Sequence, residues 1–382
     1  MISTSDAFAA VQGLLGARVA SRMLLSAAGD PLARAVAPPA GSGAVAAIVP
    51  VLDEERRLGP CLEGLCAQGP WLREILVVDG GSSDGTRDLV LAHAARDPRV
   101  RLVDAAPVPA DWNGKAWGLE SGLRASGDAE WIVTVDADVR PGPDLVASLL
   151  THAVSSNLDA FSAAPRLRLS GPGEALIHPA MLATLVYRYG LPGNVATRPR
   201  AVQADGQCFF VRRSALLATD AIAAAHASRC EDVTIARVLA ASGSPVGFFE
   251  AGELAEVEMY ASAAECWENW PRSLPMRDAF TTPLDLALAL GEVTLVQALP
   301  LALTAWLAAR GDTRSPLFRV NAALAALRLG TLGGTRRAYR SVPWTYWLSP
   351  ALDLSVALRL IVAAFARDAS WRGRALVREG TP

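Results

Sequence analysis

With 382 residues, the chain is long enough for one large α/β domain and an appendage. Its 36 basic and 38 acidic residues leave a net charge of -2, which supplies no global field for nucleic acid, so no nucleic-acid partner is expected. A hydrophobic share of 51% with mean hydropathy +0.25 is rich for a soluble enzyme, and the excess falls after Leu284, which points to a membrane-associated C-terminal region. Cys61, Cys66, Cys208, Cys230 and Cys266 show no C-x-x-C spacing and the four histidines no H-E-x-x-H, so zinc is not expected. With no cleavable signal pattern, the thiols read as ordinary buried residues of a reducing compartment and the catalytic domain as cytoplasmic.

Residues 1–40 read as an amphipathic helix, with Phe8, Val11, Leu14, Leu15, Val19 and Met23 on its apolar side, followed by a linker of Pro38, Pro39, Gly41 and Gly43. Arg18 and Arg22 interrupt the apolar run short of the ~20 residues that cross a bilayer, so this helix is expected to be interfacial or to pack on a domain. Residues 41–280 alternate short apolar runs at 44–51, 74–79, 100–104 and 131–136 with helical patterns at 57–67, 86–96 and 115–125. This alternation predicts an α/β domain, Rossmann-like, with a mostly parallel sheet flanked by helices and ligands at the carboxyl ends of its strands.

Residues 281–382 are expected to form a hydrophobic, helical, membrane-associated region. The tracts 286–307 and 347–366 are long enough to span, carrying Glu292 and Gln297 in the first and Asp353 and Arg359 in the second. Between them, 320–332 is too short for a span and reads as re-entrant or interfacial. Arg367, Arg372, Arg374 and Arg378 in the tail favour two spans, with tail and catalytic domain both on the cytoplasmic side of a plasma or inner membrane. The alternative is a set of buried helices in a soluble domain.

Chemistry concentrates just after the strands. Thr134-Val135-Asp136-Ala137-Asp138 ends an apolar run in two carboxylates one residue apart, hard oxygen ligands suited to Mg²⁺ or Mn²⁺. The first strand leads into Pro50-Val51-Leu52-Asp53-Glu54-Glu55, acidic groups placed where a base or ribose can be held. The second ends at Asp79 and is followed by Gly80-Gly81-Ser82-Ser83-Asp84-Gly85-Thr86. That loop offers close backbone approach, hydroxyls and a helix N-terminus, and Asp79 can accept from a base N–H. Glu231-Asp232 opens a helical run, and Lys115 lies at another helix start. Each of these also has a structural reading, as a solvated helix start or a cap.

Taken in order, Ile48-Val49-Pro50 with Asp53-Glu54-Glu55, Val78-Asp79 with its glycine-serine loop, Asp136-Ala137-Asp138 and Glu231-Asp232 resemble the family-2 glycosyltransferases of the GT-A fold, over roughly residues 44–278. Trp112-Asn113-Gly114-Lys115 resembles the W-x-G-K segment of the subgroup that glycosylates membrane lipids, such as the hopanoid-associated and carotenoid glycosyltransferases.

The resemblance implies inverting transfer of one sugar from a UDP-sugar to a membrane-lipid acceptor. It places Asp79 on the uracil, with Pro50, Asp53 and Glu55 around the nucleoside and Ser82 and Asp84 in the nucleotide loop. Asp136 would approach the ribose or sugar, Asp138 with Asp136 would hold the metal, and Lys115 would add positive charge near the diphosphate. Asp232 becomes the expected base, with Glu231 beside it and Gly206 in the segment lining the acceptor pocket. Trp270 and Arg272 lie where processive relatives carry Q-x-x-R-W, a motif absent here. They would stack on a sugar or lipid and pair with a phosphate, or else anchor the domain at the interface. A nucleotidyltransferase of related fold fits less well, since Asp53-Glu54-Glu55 is acidic and glycine-free where those enzymes carry a basic glycine-rich loop. A non-catalytic nucleotide-sugar-binding protein is the third reading, and the joint presence of Asp136, Asp138 and Asp232 argues against it.

Overall fold

The computed structural model describes residues 3–274, 276–365, 370–371 and 374–375, except for the side chains of Arg272, Ser273 and the last four. The chain forms two compact units: a sheet unit of residues 30–167 and 192–258, and a helical unit whose described residues are 3–29, 168–191 and 259–365.

Helix α1 (Thr4–Ser26) opens the helical unit. The sheet unit then alternates β1 (Val45–Val51), α2 (Glu55–Cys66), β2 (Leu72–Asp79), α3 (Thr86–Ala94), β3 (Val100–Asp104), α4 (Gly114–Ala125) and β4 (Trp131–Val135). It continues through β5 (Val139–Pro141), α5 (Leu145–Ser156), β6 (Ala160–Leu167), β7 (Asn194–Ala196) and β8 (Cys208–Arg212). The unit ends with α7 (Arg213–Thr219), α8 (Ala221–Ala224), α9 (Glu231–Ala241) and β9 (Val246–Val257). The four runs expected as strands are β1 to β4, and burial explains the legibility of the central ones: every residue of β4 and all of β1 but Pro50 are buried, whereas the edge strand β3 buries only Val100.

The strand order is β3-β2-β1-β4-β8-β6-β9-β5, with β7 paired to β9. The pairs β1–β2, β2–β3, β1–β4 and β6–β9 are parallel, and β4–β8, β6–β8, β5–β9 and β7–β9 antiparallel. The sheet is therefore mixed, where a mostly parallel one was expected. Apolar periodicity reports burial but not direction, and antiparallel neighbours need no crossover helix to announce them. Trp131 of β4 stacks on Phe210 of β8 with ring centroids 5.1 Å apart, filling the seam where the two halves of the sheet change sense. A Cβ on Gly122 would fall 2.4 Å from Ile48 Cγ2, so glycine lets α4 lie close on β1 and sets the height of Lys115 above the strand ends.

The helical unit adds α6 (Pro172–Tyr189), α10 (Ala263–Asn269), α11 (Pro283–Gly291), α12 (Leu299–Ala309), α13 (Pro316–Thr335) and α14 (Asp353–Phe365). A π-helical segment, Glu292–Ala298, joins α11 to α12, and a 3₁₀ segment, Trp344–Leu352, runs into α14. By length and composition alone, Pro283–Ala309 and Trp344–Phe365 are able to cross a membrane. Helix α1 runs unbroken through Arg18 and Arg22, which both pair with Glu292, and one local expectation changes. The stretch 320–332 is not a short element but the middle of the 20-residue α13. Helix α6 lies within the segment expected for the catalytic domain, yet it packs in the helical unit, on α1 and on the 3₁₀ segment.

Candidate active site

Strands β1, β2 and β4 run parallel, so their carboxyl ends finish together. Asp79 ends β2 opposite Val51, and Asp136 follows the last residue of β4. Because β8 is antiparallel with Cys208 opposite Val135, its start lies beside that end, and the Asp136 N–H donates to the Gln207 carbonyl at 3.1 Å. This register brings Gly206 to the D-x-D turn.

Helix α4 enters the same place. Asn113, just before it, donates its backbone N–H to His226 O at 2.7 Å and its side-chain amide to Ser228 O at 2.9 Å, tying the helix start to the loop that leads to α9. Lys115 Nζ then lies 2.9 Å from Asp136 Oδ1 and 2.8 Å from Glu231 Oε1. The Gly206 N–H donates to Asp232 Oδ2 at 2.7 Å, and a Cβ at Gly206 would fall 2.9 Å from Lys115 Nζ and 3.2 Å from Asp232 Cβ. Glycine is thus the residue that leaves room for both charged groups.

Burial alone would depress the Lys115 pKa, but Asp136, Glu231 and Asp232 outweigh it and hold the ammonium well above its ordinary range. Burial pushes Asp232 up to about 7, with Glu231 adding to the rise and Lys115 opposing it. An apolar pocket lined by Leu119, Phe209, Leu216 and Ile235 borders Lys115 and Asp232 and accounts for the desolvation. Lys115, expected beside the diphosphate, is engaged by carboxylates and joins the D-x-D turn to the Glu231-Asp232 pair.

Asp138 fits a metal in a different way. Its Oδ1 is buried without a hydrogen-bond partner, and burial followed by the nearby Asp136 charge pushes its pKa up to about 7. A buried carboxylate oxygen left without a donor has the chemistry a hard divalent cation takes up. Among the described residues, no group of three or more His, Cys, Asp or Glu side chains gathers as a complete metal cage. Asp138 and Asp136 would therefore be the protein ligands, a set typical of cations that take their remaining oxygens from phosphates and water.

Sequence reasoning missed three neighbours. Glu54 is buried, donates its N–H to Thr86 Oγ1 at 2.8 Å, and takes Arg57 Nε at 3.0 Å. Burial pushes Glu54 up to about 7, with Arg57 opposing, and the same two residues act on Asp138 in opposite senses. The acid–arginine pair three residues apart at a helix start was the available signal. Asp205, beside Gly206, is pushed by burial to about 6 and accepts the Gln207 N–H at 3.0 Å.

The residues expected around the nucleoside are laced to one another. Asp53, in the left-handed region at φ 55°, accepts from the Ser83 N–H at 2.7 Å and the Asp84 N–H at 3.3 Å, and its own N–H donates to Ser82 Oγ at 2.9 Å. Asp84 accepts the Glu55 N–H and Glu55 accepts the Gly85 N–H, each at 3.1 Å. Pro50 packs beneath Gly118 of α4. The Asp79 side chain is fully buried: Oδ1 accepts the Ser82 N–H at 3.0 Å and Oδ2 takes Arg87 at 2.7 Å, with Arg87 also 3.3 Å from Asp104. Asp79 thus meets a base only if Arg87 swings away.

Trp270 needs correcting as a stacking platform. It is 5% exposed in the helical unit, and its ring lies on that of His178 with centroids 3.7 Å apart, so the face expected for a sugar is covered. The side chain of Arg272 lies outside the described residues.

Residues 46–218 match the family model described as Glycosyl transferase family 2, a stretch holding Asp53, Asp79, Lys115, Asp136, Asp138 and Gly206. Over this stretch the chain is similar to the family-2 glycosyltransferases. The match to this glycosyltransferase domain ends ahead of Glu231 and Asp232. An uncharacterized glycosyltransferase of Escherichia coli, YibD, is 26% identical over 112 residues, which is 29% of this chain and 31% of that protein, so the likeness spans under a third of the relative. The fold resembles that of the mannosyltransferase PcManGT from Pyrobaculum calidifontis, solved with GDP-Man and Mn²⁺: TM-score 0.51 at 20% identity, covering 93% of this chain and 99% of that one. Glucosyl-3-phosphoglycerate synthase of Mycobacterium tuberculosis, with Mn²⁺, UDP-Glc and phosphoglyceric acid, scores 0.39 at 16% identity, covering 67% and 82%.

Proposed function

We propose that this protein transfers a single sugar, with inversion, from a nucleotide-sugar to the hydroxyl or carboxyl group of a membrane lipid. The observation that carries the reading is the Lys115 bridge. It joins Asp136, at the strand end where a donor diphosphate is expected, to Glu231 beside Asp232, where an acceptor is expected. Donor-side and acceptor-side carboxylates are therefore held in one network by one ammonium.

In this reading Asp232 takes the acceptor proton as that oxygen attacks the anomeric carbon, and the nucleoside diphosphate leaves. The Gly206 N–H holds the Asp232 carboxylate in place, and a pKa of about 7 lets it accept a proton near neutral pH. Asp138 and Asp136 would hold Mg²⁺ or Mn²⁺, which when bound supplies positive charge for the diphosphate. The Mn²⁺ bound to the Pyrobaculum mannosyltransferase supports that choice. A UDP-sugar is the proposed donor, with Asp79 reading the base once Arg87 moves. The apolar helices Pro283–Ala309 and Trp344–Phe365 support a lipid acceptor and a place at the plasma or inner membrane, with the catalytic unit facing the cytoplasm. Membership of the hopanoid-associated and carotenoid subgroup is part of the proposal and rests on Trp112 to Lys115.

The test is Asp232→Asn, which should abolish turnover and leave donor affinity nearly intact. Loss of donor binding in that variant would remove Asp232 from the base role.

A further inference from the structure

Among the described residues, the helical unit contains four helices of at least twenty residues: α1 with 23, Pro283–Ala309 with 27, α13 with 20 and Trp344–Phe365 with 22. At about 1.5 Å per residue, each reaches roughly 30 Å or more, the thickness of a bilayer's hydrocarbon core. Hydropathy singles out only the second and fourth. The other two are more polar: Gln12, Asn321, Arg328 and Thr331 are buried, whereas Arg18, Ser21 and Arg319 are exposed.

Gln12 of α1 bonds Asn321 of α13 in both directions, at 3.1 and 2.9 Å, and donates to Leu295 O at 2.9 Å. Glu292 is buried between Arg18 and Arg22, each at 3.0 Å. Arg328 of α13 grips Asp353 at 2.7 and 2.9 Å, and Gln297 reaches the same carboxylate at 3.0 Å.

These contacts fix direction as well as neutralise charge. Gln12 against Asn321, Gly16 against Leu324 and Met23 against Thr331 run α1 parallel to α13. Asp353 against Arg328, and the Tyr346 hydroxyl donating to Leu332 O at 2.6 Å, run Trp344–Phe365 antiparallel to it. The short connection 310–315 folds α13 back along α12.

The outward faces are largely apolar. Along Trp344–Phe365 the exposed residues Trp344, Leu348, Leu354, Leu358, Val362 and Phe365 form one stripe. Helix α1 exposes Val11, Leu14, Leu24 and Leu25, and α13 exposes Ala323, Ala326, Leu329 and Gly330. A water-soluble bundle has the reverse arrangement, with polar groups outside. Hydrocarbon selects this one, because polar side chains there must pair within the protein.

We infer that the helical unit crosses the bilayer four times, with α1 and α13 as spans alongside the two apolar helices. Lipid hydrocarbon is the occupant of the outward faces, since apolar side chains are exposed on α1, α12, α13 and α14, whereas a second copy of the chain would cover one face. The inference rests on the membrane location proposed above. It puts α13 across the membrane, so Asp312 and Ala338, beyond its two ends, lie on opposite sides. The two-span arrangement expected from the tail's arginines leaves them on the same side, an arrangement that the arginines of the connection itself fit poorly.

The experiment uses the full chain in sealed inside-out vesicles, with Asp312→Cys and Ala338→Cys labelled by a membrane-impermeant maleimide before and after permeabilisation, against the unsubstituted chain as baseline. One site should label at once and the other only after permeabilisation, and the unsubstituted chain should stay with the vesicles through alkaline carbonate. Labelling of both sites from one side, or release by carbonate, overturns the inference. Nucleotide-sugar turnover measured on the same vesicles separates the two failures: turnover with same-side labelling sinks only the four spans, whereas absence of turnover and of donor binding sinks the function.

Discussion

Charge is buried in both units, but on different terms. In the helical unit the buried acids are matched: Arg328 faces Asp353, and Arg18 and Arg22 face Glu292. At the strand ends of the sheet unit six acids crowd together, Glu54, Asp136, Asp138, Asp205, Glu231 and Asp232, with Arg57 beside Glu54 and Lys115 between Asp136 and Glu231. A matched pair is finished and serves the fold. In the crowded cluster burial holds Glu54, Asp136, Asp138, Asp205 and Asp232 at raised pKa, a state that gains from an added cation.

The largest effect that would break this comparison is expected at Asp232. Asp232→Asn should lower turnover by about 10²- to 10⁴-fold, the usual contribution of a positioned base, while leaving the melting temperature near the wild-type value, since the amide oxygen can still accept the Gly206 N–H. Steady-state rates with donor titrations check this. In the helical unit, Arg328→Met strands the buried Asp353 and should cost about 3–5 kcal/mol by denaturant unfolding in detergent. The pair Arg328→Met with Asp353→Leu should recover much of that loss, and failure to recover would show that the pair does more than neutralise itself. Gly206→Ala is the smaller lesion: its Cβ meets the flexible end of Lys115 at 2.9 Å, so about 1–3 kcal/mol is expected, with kcat falling more than donor affinity.

The smallest effect sharpens the comparison through pH. Glu54, Asp138 and Asp232 at about 7 and Asp205 at about 6 bind protons more tightly when folded than when unfolded. Their contribution to stability is full below about pH 4 and is lost as pH rises through 6 to 7, so between pH 5 and pH 8 the metal-free protein should lose a few degrees of melting temperature. Mg²⁺ or Mn²⁺ should restore it at pH 8 and have little effect at pH 5, and Asp138→Ala should abolish that difference. Asp97, held down at about 2 by Arg99, works in the opposite sense only at lower pH.

The difference between the units also decided what could be read from the sequence. Strands β1, β2 and β4 were legible because buried parallel strands are largely continuous apolar runs, and the site residues end or follow them. Strand direction beyond β4 was not, because β5 and β7 are three residues long and carry no period. Glu54 and Arg57 passed as an ordinary helix start. The helix α13 read as too short because Arg328 and its glycines lower its hydropathy. Its neutralising partner, Asp353, is far away in sequence, and a window cannot see a pair closed by folding. Trp270 misled for a related reason: a tryptophan near a candidate site looks like a platform until His178 is found on its face.

The proposal is that the crowded strand-end carboxylates serve metal-dependent sugar transfer to lipid. Its most direct test is nucleoside diphosphate release from the purified, detergent-solubilised chain, offered a panel of nucleotide-sugars with Mg²⁺ or Mn²⁺, with and without a total lipid extract. The account predicts UDP release that needs the metal and rises with lipid. No release and no donor binding under any condition would contradict it and favour a non-catalytic protein.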